Sequence, residues 1–308
     1  MKIAVMGAGA MGGFLGGFFS RAGADIILIN HPSEHARAIQ QNGLTILDGD
    51  ETTKIPVKLY LTPPSMEAVQ LVLIMVKSYD TEQAIKDVLG LVGSDTYMLS
   101  LQNGIGHHLI MNRYIKADRI LLGSTSSGAH LGGPGQVKIA GKGETFIGAL
   151  SEEQPPILND IRDIFLKAGL NCSVSGDILR KVWDKLVINV GINALTAITG
   201  LRNGQILDHP ELMEILEAAV KEAVTVAQTK GINPSFPDPA AKVKEVARLT
   251  ATNKSSMLQD MEKRKSTEIK AINGAIVEMG RELGLDVPVN RTLFNLVKAL
   301  ERAKSQES

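Results

Sequence analysis

The sequence predicts an α/β domain built on a parallel sheet wound on both faces, followed by a domain made only of helices. Three observations lead there. Short, almost wholly apolar runs alternate with helical periodicity through the first half of the chain. A glycine-rich turn joins the first apolar run to the first helical segment. Beyond Ile178 no segment carries the patterning of a strand, and long helical patterns follow one another.

The strand-like runs are Ile3–Met6, Ile26–Ile29, Leu71–Val76, Tyr97–Leu101 and Ile120–Gly123. Helical stretches separate several of them, notably Met11–Ala22 and Thr81–Leu91. Strands alternating with helices imply a parallel sheet, and runs apolar on both faces are what a sheet covered on both sides requires. After Gly123 the pattern changes. Gly132-Gly133-Pro134-Gly135 is a turn cluster, and Gln136–Ala140 with Glu144–Gly148 predicts a short antiparallel addition. Helices are then expected over Leu179–Thr199, Glu211–Lys230, Pro239–Ala251, Lys265–Leu283 and Thr292–Lys304, punctuated at Gly231–Pro234 and Gly284–Pro288. The boundary is expected near Ser175-Gly176, giving a dinucleotide-binding domain over 1–175 and a helical substrate and catalytic domain over 176–308.

Composition narrows the function. A chain of 308 residues exceeds one ordinary core, so two domains are expected. The 33 basic residues balance 33 acidic ones, which leaves no electrostatic footprint for nucleic acid or an anionic membrane. No apolar stretch reaches the ~18 residues of a membrane helix. The chain enters a strand at Lys2 with no leader-like segment before it, so a cytoplasmic protein is expected. The single cysteine, Cys172, fits a reducing compartment and reads as a small core residue rather than a nucleophile.

Gly7-Ala8-Gly9-Ala10-Met11-Gly12 has the form G-x-G-x-x-G. The pattern alone is weak. Here it follows a strand and opens a helix on which Met11, Phe14, Leu15 and Phe18 recur at helical spacing, the context that a dinucleotide pyrophosphate needs. An acid about 20 residues on would hold the ribose of NAD, and an arginine nearby would accept the 2′-phosphate of NADP. The chain has instead Ile29-Asn30-His31-Pro32-Ser33. Neutral Asn30 does not repel a phosphate, and Ser33, His31 or Arg37 can donate to one, which favours NADP while leaving NAD open. Ser33 serves equally well as the cap of a helix starting near Glu34. Two more strand ends, Lys77-Ser78 and Gln102-Asn103-Gly104, point at the same crevice, because open α/β sheets bind ligands beyond the carboxyl ends of their strands. A solvated lysine and a plain turn are the alternatives there.

The segment Leu179–Thr199 is mostly apolar, yet Lys185, Asn189 and Asn193 fall at i, i+4 and i+8. At ~3.6 residues per turn they share one stripe. Buried polar groups need partners, and a polar substrate could supply them. Reduction of a ketone needs a proton for the developing alkoxide, and a buried lysine with a lowered pKa suits that task. A lysine reaching out to water, with the two asparagines bonded to neighbouring helices, fits the pattern as well. Downstream, Ser256 with Gln259 fits a capping box. Glu268 falls in a helical pattern with Ile269, Ile272 and Ile276 along its apolar side, so bordering that side and pairing at the surface are both open to it. From periodicity alone it is expected in solvent beside Lys265 and Lys270.

Together these segments resemble the ketopantoate reductase (2-dehydropantoate 2-reductase) family over nearly the whole chain. The marks are GAGAMG at Gly7–Gly12, VKSYDT at Val76–Thr81, LQNGIG at Leu101–Gly106, WDKLVINVGINALTAI at Trp183–Ile198, SSMLQD at Ser255–Asp260 and TEIKAINGAI at Thr267–Ile276. The resemblance implies a Rossmann-like domain, an all-helical domain, and reduction of 2-dehydropantoate to (R)-pantoate with NADPH, a step toward pantothenate and coenzyme A. It implies Lys185 as proton donor, and Asn103, Asn189, Asn193, Asn203 and Ser256 as substrate contacts. Lys77, Asn103 and Ala129 match cofactor contacts, and Glu268 matches a carboxylate between cofactor and substrate. Family members often carry an arginine where Pro32 stands here, which keeps NAD in play.

Two other readings remain at this point. One is a 2-hydroxy acid dehydrogenase, or another 2-keto acid reductase, using NAD. The other is a non-enzymatic NADP-sensing protein on the same fold. The chain is expected to act on a small 2-keto acid, without a metal, nucleic acid or membrane. Apolar faces on the C-terminal helices suit packing within one chain or between two copies of a homodimer.

Overall fold

The computed structural model describes residues 1–306. They form two compact units: residues 1–102 with 107–178, and residues 103–106 with 179–306.

The first unit runs β1 (Lys2–Met6), α1 (Ala10–Arg21), β2 (Asp25–Ile29), α2 (Glu34–Asn42), β3 (Leu44–Asp48), β4 (Glu51–Ile55) and β5 (Lys58–Tyr60). It continues through β6 (Val69–Ile74), α3 (Thr81–Val88), β7 (Val92–Ser100), α4 (His107–Met111), β8 (Ile120–Thr125), β9 (Gly128–Gly133), β10 (Gln136–Gly141), β11 (Thr145–Ala149), α5 (Ile157–Lys167) and β12 (Cys172–Val174). The main sheet has the order β12-β11-β8-β7-β6-β1-β2-β5. Its centre is parallel: Val5 pairs with Leu28 of β2 on one side and Leu73 of β6 on the other. At one edge β11 runs antiparallel to β8, and β12, parallel to β11, runs the same reversed way.

Period-two alternation explains the double winding. Ile3 and Val5 join a core with Phe14, Phe18 and Phe165 of α1 and α5. Ala4 and Met6 face the other way, into a core with Ala84, Ile85 and Val88 of α3. Each central strand therefore buries both faces, as its apolar sequence requires. The fold is Rossmann-like.

The expected antiparallel addition takes a different form. Strand β10 lies in a second sheet, β4-β3-β10-β9, antiparallel to β9 and parallel to β3, whereas β11 belongs to the main sheet. The two segments do not pair: β10 lies between β3 and β9, and β11 between β8 and β12. Strands β3, β4 and β5 were not anticipated. Residues Glu51–Ile55 are mostly polar and exposed, so their pairing carries no hydrophobic signature.

The second unit contains α6 (Ile178–Thr199), α7 (Pro210–Thr229), α8 (Pro239–Leu249), α9 (Ser256–Glu262), α10 (Asn273–Leu283) and α11 (Pro288–Gln306). Among the described residues it has no strand. Trp183, Val187 and Val190 of α6 meet Leu216, Val220 and Ala223 of α7 in its core. Glu222 of α7 closes the start of α11, accepting from the Val289 and Asn290 amides at 2.9 Å each, which satisfies first-turn donors that a helix leaves open. The helix expected from Lys265 begins only at Asn273. Residues Ile269–Ala271 form a 3-10 turn, and Ile272, with φ −108° and ψ −97°, cannot continue a helix. No described helix is long and apolar enough to cross a membrane.

The expected division at 175/176 places 103–106 with the first domain. The structure groups them with the second unit. The Ile105 amide donates to the Ala271 carbonyl at 3.1 Å, and Gly104 lies so close that a Cβ there would sit 2.4 Å from the same oxygen.

Candidate active site

In the first unit the glycine turn is set by sterics. Gly7 has φ +102°, and a Cβ on it would lie 2.7 Å from the Val76 amide nitrogen. A Cβ on Gly12 would lie 2.0 Å from the Gly7 carbonyl oxygen. These two positions hold β1, α1 and the end of β6 in close approach. Around Gly9 there is room, since a Cβ there meets nothing within 4 Å. Gly9 is the N-cap of α1 and supplies no side-chain cap, so the first-turn amides keep their pull on negative charge. The turn thus fits a pyrophosphate.

The neighbouring strand ends are braced by one residue. Gln102 donates through Nε2 to the Val76 carbonyl at 2.9 Å and to Thr81 Oγ1 at 2.8 Å, tying the exit of β7 to that of β6. Lys77 lies three residues beyond the end of β6 and directly precedes the 3-10 turn Ser78–Asp80. Ala129 lies on β9 in the smaller sheet. At the end of β2 most of the groups considered for a 2′-phosphate already hold protein partners. Ser33 Oγ caps α2 by accepting from the Ala36 amide at 3.1 Å. Asn30 Nδ2 donates to the His31 carbonyl at 2.8 Å. His31 Nε2 lies 3.2 Å from Asp87. Arg37 is exposed.

In the second unit α6 is one continuous helix, so Lys185, Asn189 and Asn193 do share a stripe. Asn193 is buried, while Lys185 and Asn189 keep partial access to solvent. Burial pulls the Lys185 pKa from 10.5 down to about 8, and the Glu268 charge opposes part of that fall. Glu268 is not the solvated residue that periodicity predicts: it is 5% exposed and accepts from Asn103 Nδ2 at 3.1 Å. It sits just before the 3-10 turn rather than on a helix face, so helical periodicity is the wrong ruler for it. Asn103, Lys185 and Glu268 are therefore one cluster.

The capping box is also corrected. The N-cap of α9 is Ser255, whose Oγ accepts from the Leu258 amide at 3.1 Å. Gln259 turns back to the Lys254 carbonyl at 3.0 Å, and Ser256 is exposed at the first position of the helix. Ser255 and Thr196 hydroxyls lie 2.7 Å apart, which fastens α9 to α6 one turn below Asn193. Sequence reasoning missed this pair, because Thr196 stands in an apolar run and two adjacent serines compete for one cap. Asn203 donates to Thr250 Oγ1 at 2.9 Å, and its buried Oδ1 has no partner among the described residues. The second unit thus offers an acid with pKa near 8, a carboxylate that tunes it, and amides able to bond a polar organic anion. No metal-binding cluster occurs among the described residues.

Two sequence profiles cover the chain. The ketopantoate reductase PanE/ApbA profile matches residues 3–152, and its C-terminal counterpart matches residues 177–301. The chain belongs to the ketopantoate reductase PanE/ApbA family. Among ketopantoate reductase relatives, the 2-dehydropantoate 2-reductase of Halobacterium salinarum is 36% identical over 98% of this chain and 99% of its own length. A PanE/ApbA family ketopantoate reductase from Ralstonia eutropha JMP134 superposes with a TM-score of 0.91 at 31% identity, covering 99% of this chain and 100% of that one. D-mandelate dehydrogenase, in a ternary structure with NADH and anilino(oxo)acetate, gives a TM-score of 0.94 at 29% identity, over 99% and 100% of the two chains.

Proposed function

We propose that this ketopantoate reductase family member reduces 2-dehydropantoate to (R)-pantoate with NADPH, and that Lys185 delivers the proton. The observation that carries the reading is the α6 stripe of Lys185, Asn189 and Asn193 together with the buried Glu268 that Asn103 holds at 3.1 Å, where burial lowers the Lys185 pKa to about 8 and the Glu268 charge opposes part of that fall. Such an ammonium is charged at neutral pH, so it stabilises negative charge growing on a carbonyl oxygen. It is also acidic enough to release its proton to the alkoxide that results. When bound, the nicotinamide supplies the hydride. We assign the cofactor to Gly7, Ala8, Gly9, Ala10, Met11, Gly12, Lys77, Asn103, Ala129 and Glu268. We assign the substrate to Asn103, Asn189, Asn193, Asn203 and Ser256. The buried amide oxygen of Asn203 supports that assignment, since it still needs a donor such as a substrate hydroxyl. We place the reaction in the cytoplasm. Burial pushes the Cys172 thiol up to about 12, which keeps it protonated at neutral pH and suits a small core residue.

A second reading has its own support. The likeness to a D-mandelate dehydrogenase structure holding NADH, together with Pro32 at the end of β2, favours an NAD-linked 2-hydroxy acid dehydrogenase. Initial rates with 2-dehydropantoate, pyruvate, a branched 2-keto acid and benzoylformate, each with NADPH and NADH, decide between them. The first reading requires the highest kcat/KM for 2-dehydropantoate. A clear preference for another keto acid overturns it.

A further inference from the structure

The carboxylate of Glu268 needs more than Asn103 to hold it, because it sits in an irregular stretch before a 3-10 turn. That stretch is anchored from α11. Glu301 Oε1 accepts from the Thr267 amide at 2.7 Å and from Thr267 Oγ1 at 2.6 Å. Thr267 Oγ1 in turn accepts from the Ile269 amide at 3.2 Å. The bonds bracket Glu268 on both sides. Lys298 donates to the second Glu301 oxygen at 2.5 Å, which orients the carboxylate from within α11. Thr267 is 4% exposed and Ile269 is 1% exposed, so water offers these groups little alternative.

We propose that Glu301, acting through Thr267, is the positioning residue that holds Glu268 against Lys185. This rests on the proposed role of Lys185 and Glu268. Both Thr267 donors converge on one Glu301 oxygen, so an amide oxygen at that place keeps both bonds and gives up only the pair with Lys298, whose half-exposed ammonium can turn to water. Glu301→Gln therefore keeps the turn, and Glu301→Ala releases it. Thr267→Ser keeps the hydroxyl, and Thr267→Val loses it at nearly constant volume.

The test is a double-mutant cycle on kcat/KM with 2-dehydropantoate and NADPH. Glu301→Ala is expected to lower kcat/KM at least tenfold, Glu301→Gln less than threefold. In a Glu268→Ala background, Glu301→Ala is expected to add less than a further twofold. A role in folding alone would instead leave the two losses multiplying, and multiplying losses overturn the proposal. Full activity of Glu301→Ala overturns it as well. Thr267→Val with Thr267→Ser repeats the comparison should Glu301→Ala fail to fold. If Lys185→Ala and Glu268→Ala both keep full turnover, the underlying reading has failed instead; if they lose it while Glu301→Ala does not, only the positioning role has.

Discussion

Asn103 and Glu268, 165 positions apart in the chain, are joined by a 3.1 Å hydrogen bond from amide to carboxylate. The bond fixes where a buried negative charge sits, and that charge works against the desolvation of Lys185. A lysine alone in such surroundings would shed its proton more readily, so the pair keeps a usable acid in a site that disfavours cations.

Replacing Lys185 separates chemistry from stability. Lys185→Met is expected to cut kcat at least ~100-fold, the scale of a lost general acid, while the NADPH Kd measured by fluorescence changes less than threefold. The same variant should be the more stable protein at pH 7. The unfolded chain holds the proton up to about 10.5, whereas the folded one releases it near 8. Below 8 the folded state bears the full penalty, on the order of 1–3 kcal/mol given the partial solvent access of this residue. Between 8 and 10.5 the unfolded state binds more protons, so wild-type stability rises with pH and the advantage of the variant shrinks. Urea titrations at pH 7 and pH 10 read this directly. An equal or lower stability of Lys185→Met at pH 7 counts against a desolvated ammonium.

Glu268→Gln tests the coupling from the other side. Its charge raises the Lys185 pKa, so removing it moves the alkaline limb of kcat/KM to lower pH. The proton donor is then lost sooner as pH rises. A limb that stays in place, or moves up, shows that the carboxylate does not act on Lys185.

How far these relationships were legible in the sequence depends on the ruler each residue obeys. The α6 stripe was readable, because Lys185, Asn189 and Asn193 follow the period of an unbroken helix. The glycine turn was readable because its spacing between a strand and a helix is a local pattern, although the clash that requires Gly7 comes from Val76 on another strand end. Glu268 was misplaced in solvent, because its burial comes from a turn anchored by Glu301, 33 residues away, and from Asn103 on the far side of the chain. The smaller sheet escaped notice for a similar reason. Strand β4 carries Glu51, Thr52, Thr53 and Lys54, and only its pairing to β3 makes it a strand.

Gly12→Ala should fail at the cofactor rather than at the substrate. The new methyl would sit 2.0 Å from the Gly7 carbonyl oxygen, a backbone atom that cannot swing aside. Either α1 moves off β1 or the turn opens, and both displace the first-turn amides. The expected result is at least a tenfold rise in the NADPH Kd by fluorescence titration, with a lower Tm. Wild-type affinity in this variant would show that the phosphate groups bind elsewhere.

In the proposed cofactor site, the end of β2 is the place to choose between the two dinucleotides, and most of its polar groups are already engaged. Ser33 caps α2, Asn30 bonds the His31 carbonyl, and His31 faces Asp87 at 3.2 Å. A 2′-phosphate arriving there must compete with the Asp87 carboxylate for the imidazole, and no arginine stands at position 32 to receive it. Pro32→Arg adds a planar, permanently charged donor suited to phosphate. It is expected to raise the ratio of kcat/KM for NADPH over NADH at least tenfold, equivalent to ~1.4 kcal/mol of discrimination. Asp87→Asn should move the ratio the same way by a smaller factor, because it removes the competing charge and frees His31. Both substitutions lie in the first unit and leave the residues around Lys185 in the second unchanged, so kcat with saturating cofactor should stay within about threefold of wild type. If neither variant moves the ratio, the 2′-position of the cofactor does not meet the end of β2.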